Sequence, residues 1–358
     1  MESRKVQKVG YSTLTVSLPS KWVKQKNISP GDLVFFIPEK DGTLKITSSQ
    51  LPHKEGAEEY LINVDACDES GMLERIIVGN YIHGRDVIRI KSSSRIGNSH
   101  ITEIRRIVRK LMGLGIIEET PDNILLQCSI DPTKFKLNML IRRLSIIAST
   151  ILSDAMKAFL EQNESLAEEA INREDEADTI YYLALRLLLS AQIEPDIAEQ
   201  IGATDILFIP ATRLILQYLE LTADYSEEIA KMVIELKSRR SKLTKDVVER
   251  IYHLSESAQA VVKKALECVF TRDLKSANNV LEMKKTLEKE SKRLMSEAPE
   301  IPYIRSIISD LNKIADIGGV IANIAINRAL DKPTKDVEKI IRPVNTKQTL
   351  SLLIGKKR

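Results

Sequence analysis

At 358 residues the chain is long for one domain and comfortable for two or three. Apolar residues make up 43 % and aromatics only 4 %, which favours helix-on-helix packing over a large β sandwich. A net charge of +3 excludes a molecule that is basic throughout, yet residues 1–50 hold eight Lys/Arg against four acids, leaving −1 for the other 308. Cys67, Cys128 and Cys268 lie far apart with no C-x-x-C pair. That argues against a disulfide framework and a thiolate zinc site, and fits a reducing cytoplasm. The start MESRKVQK has no signal-peptide core. No apolar run approaches the ~18 residues of a membrane span. The expectation is a cytoplasmic protein without membrane insertion.

In chain order, RKVQKV (4–9) and TLTVSL (13–18) alternate as strands around the turn Gly10-Tyr11-Ser12. Pro19 opens a short helix in PSKWVKQKN, SPGD (29–32) is a turn, and DLVFFIPEKDGTLKIT is a hairpin with Asp41-Gly42 at its tip. A ββαββ unit of roughly 45 residues buries little alone, so dimerisation is expected. The stretch KVGYSTLTVSLPSKWVKQKNISPGDLVFFI resembles the AbrB/SpoVT/MazE swapped-hairpin domain: strand, glycine turn, strand ending in Leu-Pro, short helix, then Ile-x-x-Gly-Asp before the next strand. The resemblance implies an intertwined dimer that binds DNA through the first hairpin and the helix region. Lys5, Lys8, Lys21 and Lys24 are then the candidate phosphate contacts. Members often carry an arginine beside the first-turn glycine, where this chain has Tyr11. The competing reading is a module that only dimerises.

Residues 51–132 are mixed. YLINVDA (60–66) and DVIRIKSS (86–93) predict strands, SGMLERIIVGNYIHG and ITEIRRIVRKLMG helices, and GIIEET and NILLQCSI two further strands. The βαβαββ order predicts a small α/β domain. Arg105, Arg106, Arg109 and Lys110 cluster on its second helix and read first as a solvated basic face, with an extension of a DNA or partner surface as the alternative.

From Lys134 onward strand signals stop and six stretches carry 3.6-residue apolar spacing: roughly 134–162, 164–191, 207–238, 243–271, 274–296 and 303–330. They repeat. Ile209-Pro210-x-x-Arg213 recurs as Ile301-Pro302-x-x-Arg305, and at that offset of 92 nine of the 24 positions from 209 to 232 are identical. Two three-helix bundles in tandem follow. In the first, Glu174 and Asp178 on the second helix and Glu220 and Asp224 on the third share an i,i+4 spacing. Antiparallel neighbours would bring both pairs to one level, where carboxylates repel unless protonated or neutralised by hard cations such as magnesium, manganese, calcium or iron. The competing reading is a polar stripe facing water or Lys/Arg. No Glu-x-x-His pair, Gly-rich phosphate loop or nucleophile elbow appears, so no enzyme is expected. Tyr181, Tyr182 and Tyr218 read as packing residues.

LAEEAINREDEADTIYYLALRLL and LELTADYSEEIAK resemble the PhoU family, whose repeat carries Glu/Asp-x-x-x-Asp motifs on its second and third helices. The resemblance implies multinuclear metal clusters of divalent or trivalent ions (iron, manganese, magnesium or zinc) held by Glu174, Asp178, Glu220 and Asp224. SDLNKIADIGGVIANIA resembles the third helix of a second repeat. There Asn312 replaces the first acid ahead of Asp316, and Lys284 and Glu288 stand opposite Glu174 and Asp178. Metal is therefore expected in the first repeat alone.

The expected architecture is multidomain: a β-rich swapped-hairpin domain (1–50), a small α/β domain (51–132), all-α three-helix bundles at 133–240 and 241–331, and a tail (332–358). The expected function is a phosphate-responsive, DNA-binding transcriptional regulator of phosphate uptake, acting at promoters as a homodimer or higher homo-oligomer. The alternative is an adaptor that inhibits phosphate transport by contacting the transporter's ATPase or a sensor kinase. A metal-dependent phosphoesterase is a third class, for which no nucleophile site is identifiable.

Overall fold

The alternating segments at the N-terminus form two short antiparallel hairpins around one helical turn and a half. A computed structural model describes residues 3–10, 13–38, 42–48, 59–236, 243–331 and 333–341. Its chain divides into two units, 1–58 and 59–358. In the first, β1 (Gln7–Val9) pairs with β2 (Thr13–Thr15), α1 (Ser20–Gln25) follows Pro19, and β3 (Phe35–Pro38) pairs with β4 (Leu44–Thr47). Tyr11, Ser12 and Asp41, on which two predicted turns rest, lie outside the described residues, as does the tail from 342. No described side chain of this unit is buried, and Val6, Val9, Leu14, Leu33, Phe36 and Leu44 are each more than half exposed.

The second unit begins with the expected βαβαββ run: β5 (Glu59–Asn63), α2 (Met72–Ile82), β6 (Val87–Lys91), α3 (Asn98–Lys110), β7 (Leu114–Glu119) and β8 (Asn123–Cys128). The sheet order is β5-β6-β8-β7, with β5 parallel to β6 and the other pairs antiparallel. Period-two alternation sends Ile62, Ile88, Ile90, Ile124 and Leu126 into a core with Leu73, Ile77, Ile104 and Ile107 of the two helices. Arg89, between two buried isoleucines, points to the other face, where its guanidinium pairs with Glu59 and Glu118.

The helical half comprises α4 (Leu137–Glu161), α5 (Glu164–Asn172), α6 (Glu174–Ile193), α7 (Pro195–Ile201), α8 (Ile209–Leu236), α9 (Lys245–Thr271), α10 (Leu274–Glu297), α11 (Pro302–Asp331) and the short α12 (Lys335–Glu338). The predicted second helix, 164–191, is thus divided at Arg173 into α5 and α6, while its counterpart α10 runs unbroken. The repeat is visible in the turns as well. Gln162 and Arg272 both close the preceding helix in the left-handed region (φ 58 and 55), and Asn163 and Asp273 then cap the amides of Leu166 and Ser276. One hydrophobic core runs through both bundles. At Gly318, α11 approaches α9 so closely that a Cβ would stand 2.5 Å from Val261 Cγ1.

Candidate cation site

α6 begins with Glu174, Asp175 and Glu176 in its first turn, where acids complement the partial positive charge of a helix N-terminus. Glu174 and Asp178 share one face and are mostly buried, with side chains 15 % and 11 % exposed. Together with Asp175 they can place one carboxylate oxygen each within 4.8 Å of one another. Glu220 and Asp224, the predicted acids of α8, lie near enough to feel the charge of Asp178, but the oxygens that converge are those of Glu174, Asp175 and Asp178. Burial, then the charges of Asp224, Asp178 and Glu174, push the Glu220 carboxyl up to about 8. Burial and the charge of Asp178 first, then Glu227 and Glu228, raise Asp224 to about 6, against the pull of Lys110. Burial and Asp178 raise Glu174 to about 7.

One cation enters the nest. The Lys110 ammonium at the end of α3 lies 2.6 Å from Asp175 Oδ1, 2.8 Å from Asp178 Oδ2 and 3.4 Å from Glu174 Oε2. Burial opposes its charge, but the hydrogen bonds to Asp175 and Asp178 and the charges of Asp178 and Glu174 outweigh burial and hold it protonated. The reading of Arg105, Arg106, Arg109 and Lys110 as one solvated face is therefore corrected for Lys110. Arg105, Arg106 and Arg109 are exposed, the first two pairing with Glu119 and Glu74. Lys110 differs because its position turns it toward α6. Nothing within α3 marks it out, since its partners lie 64 to 68 residues away. Asp175 was legible as part of the acidic run, at i,i+3 from Asp178.

Tyr181 does more than pack. Its hydroxyl donates to Gln217 Oε1 at 2.6 Å, which turns the Gln217 amide so that Nε2 donates to Glu220 Oε2 at 2.9 Å. Burial and the Glu220 charge push the Tyr181 phenol up to about 12, so it stays a donor. Tyr182 packs between the helical core and the α/β core.

The second bundle answers the same problem from within. Lys284 Nζ lies 2.7 Å from Glu288 Oε1 and 2.8 Å from Asp316 Oδ1, and Asn312 donates to Asp316 Oδ2 at 3.4 Å. Glu288 is held below the usual carboxylate range by its hydrogen bond from Lys284. Gly319 leaves room for the Lys284 stem, whose Cδ stands 3.1 Å from where a Cβ would be.

The residues of the first bundle fit a hard cation. Every donor is a carboxylate oxygen, three of them converge, and a protonated amine already takes the position where positive charge is favoured. Of the N-terminal candidates, Lys8 lies on β1, Lys5 just precedes it, and Lys21 and Lys24 lie on α1, all four exposed.

Residues 141–233 match the family described as PhoU domain, and residues 7–52 the one described as antidote-toxin recognition MazE, bacterial antitoxin. A curated relative, the phosphate-specific transport system accessory protein PhoU homolog of Clostridium acetobutylicum, is 26% identical over 159 residues, covering 43% of this chain and 68% of the relative. A solved structure, PhoU from Pseudomonas aeruginosa, aligns with 55% of this chain and 96% of its own at 18% identity and a TM-score of 0.48. The PhoU match runs from α4 into the last turns of α8 and so contains Glu174, Asp178, Glu220 and Asp224. The chain thus joins a MazE-type N-terminal domain to a PhoU domain in its helical half.

Proposed function

We propose that this protein is a cytoplasmic, phosphate-responsive regulator that acts at promoter DNA as a homodimer and binds a hard cation on its first bundle. The observation that carries the reading is the presence, in one chain, of a MazE-type segment with exposed lysines and a PhoU domain with a half-buried carboxylate nest. Lys5, Lys8, Lys21 and Lys24 would neutralise phosphates, and a second copy would cover the apolar residues that the N-terminal unit leaves exposed. Glu174, Asp178, Glu220 and Asp224, with Asp175, would hold iron, manganese, magnesium or zinc. The ion's contribution is charge neutralisation, which lets α6 and α8 pack with their acids ionised. The sequence-stretch boundaries at 50, 132, 240 and 331 are our proposed domain limits.

Binding to promoter DNA across a salt series tests the proposal. The four-lysine variant should bind at least tenfold more weakly at low salt, with a shallower salt dependence. No measurable wild-type affinity at low salt, or affinity unchanged in the variant, would favour the adaptor reading. In that case the N-terminal unit only dimerises, and regulation passes through a transporter ATPase or a sensor kinase.

A further inference from the structure

We propose that Lys110 is a tethered competitor for the cation site, so that ion binding to the α6 carboxylates releases the end of α3 from the first bundle. The inference rests on the cation-binding reading above and adds a consequence to it.

Three observations carry it. The Lys110 ammonium contacts the same three carboxylates whose oxygens converge, at 2.6, 2.8 and 3.4 Å. A metal ion needs those oxygens at about 2.0–2.6 Å, so ion and ammonium cannot share the position.

The two bundles, secondly, neutralise their acids by different routes. In the second, the ammonium belongs to the bundle itself: Lys284 sits on α10, one turn from Glu288, and its stem lies along Gly319. In the first, the equivalent position is an acid, Glu174, and the ammonium arrives from the α/β region. A cation carried on a separate element can leave without unfolding the bundle.

Thirdly, the α/β region makes charged contacts with α6 at two separate places, beside the apolar packing of Tyr182 between the two cores. Lys110 is one. The other is the buried Arg186, which donates to the Tyr81 carbonyl, pairs with Asp86 and lies over the Tyr81 ring. A cleft lined by Glu74 and Arg75 of α2, Arg106 of α3 and Tyr182 of α6 opens where these three helices meet. Losing Lys110 from the nest therefore removes the charged contact that holds the α3 end, while Arg186 keeps the α2 side in place.

The charge balance favours exchange once an ion is available. Three carboxylates, Glu174, Asp175 and Asp178, share one lysine, and a divalent ion supplies twice its charge from a shorter distance. The coupling is reciprocal: docked Lys110 weakens ion binding by the same factor by which the ion weakens docking.

The test uses the full chain and Mn²⁺ as the probe, with calorimetry for affinity and hydrogen exchange for docking. Lys110→Met, which keeps most of the stem, should bind Mn²⁺ at least tenfold more tightly than wild type. In wild type, Mn²⁺ should speed exchange of the amides at the C-terminal end of α3 and leave those of β6 and β8 unchanged. This second readout needs no variant. If Mn²⁺ binds wild type and Lys110→Met equally and α3 exchange does not change, the competition is overturned while the cation site stands. If Asp178→Asn binds Mn²⁺ as wild type does, the site assignment fails and the competition falls with it.

Discussion

Replacing Glu220 by glutamine should stabilise the ion-free protein at alkaline pH. Burial and three neighbouring carboxylates raise Glu220 to about 8, from an ordinary value of 4.5. A carboxyl with a native pKa above its unfolded value binds protons more tightly in the folded state. Stability contributed by that preference is present at low pH and is lost as pH rises from about 4.5 through about 8. A shift of this size sets a ceiling of about 5 kcal/mol at one pKa unit per 1.4 kcal/mol. Partial exposure of the nest lowers the expected effect to about 1–3 kcal/mol. Glutamine keeps an acceptor for the Gln217 amide, which reaches Glu220 at 2.9 Å, and removes only the charge. Urea denaturation in the presence of chelator, at pH 4.5 and pH 8.5, measures the difference. The variant should match wild type at the lower pH and exceed it at the higher, and its pH dependence should be shallower. Excess Mn²⁺ should reverse the order, because only wild type retains the full donor set. A variant no more stable than wild type at pH 8.5 in chelator would refute the electrostatic account of the site.

The remaining predictions concern packing and docking. Gly318→Ala places a Cβ 2.5 Å from Val261 Cγ1 and 2.9 Å from the Val262 backbone nitrogen, so α9 and α11 must separate, at a cost of about 1–3 kcal/mol in thermal or urea unfolding. Gly319→Ala meets only the flexible Lys284 stem at 3.1 Å, and the gain in helix propensity of about 1 kcal/mol should leave it neutral or slightly more stable. Arg186→Met removes charge-assisted bonds to the Tyr81 carbonyl and Asp86 and should cost about 2 kcal/mol, read as faster hydrogen exchange in α2. Tyr181→Phe frees the Gln217 amide to turn and should weaken Mn²⁺ binding a few-fold without unfolding the chain, measured by calorimetry.

Local chemistry made most of the elements legible. Alternation in VIRIK and NILLQC marks β6 and β8 because a strand sends successive side chains to opposite faces, and the proline pair Pro210 and Pro302 marks helix starts because a first turn lacks amide partners anyway. Glu174 and Asp178 share a face by helical period alone, and the same i,i+4 spacing on the third helix singled out Glu220 and Asp224 as candidates beside them. The substitution of Lys284 and Asn312 in the second bundle was read from the sequence and acquired its physical meaning as an internal ion pair with Asp316.

What the chain pattern left open was decided by long-range packing. Four basic residues on α3 look alike in sequence, and only the docking of α3 against α6 separates Lys110, enclosed by three carboxylates, from Arg105, Arg106 and Arg109 on the surface. Tyr181 likewise reads as a packing residue until α8 brings Gln217 to within 2.6 Å. Periodicity settles which face a side chain occupies. Which charge meets that face depends on contacts between residues some 60 apart, and these exist only once the α/β region and the first bundle have come together.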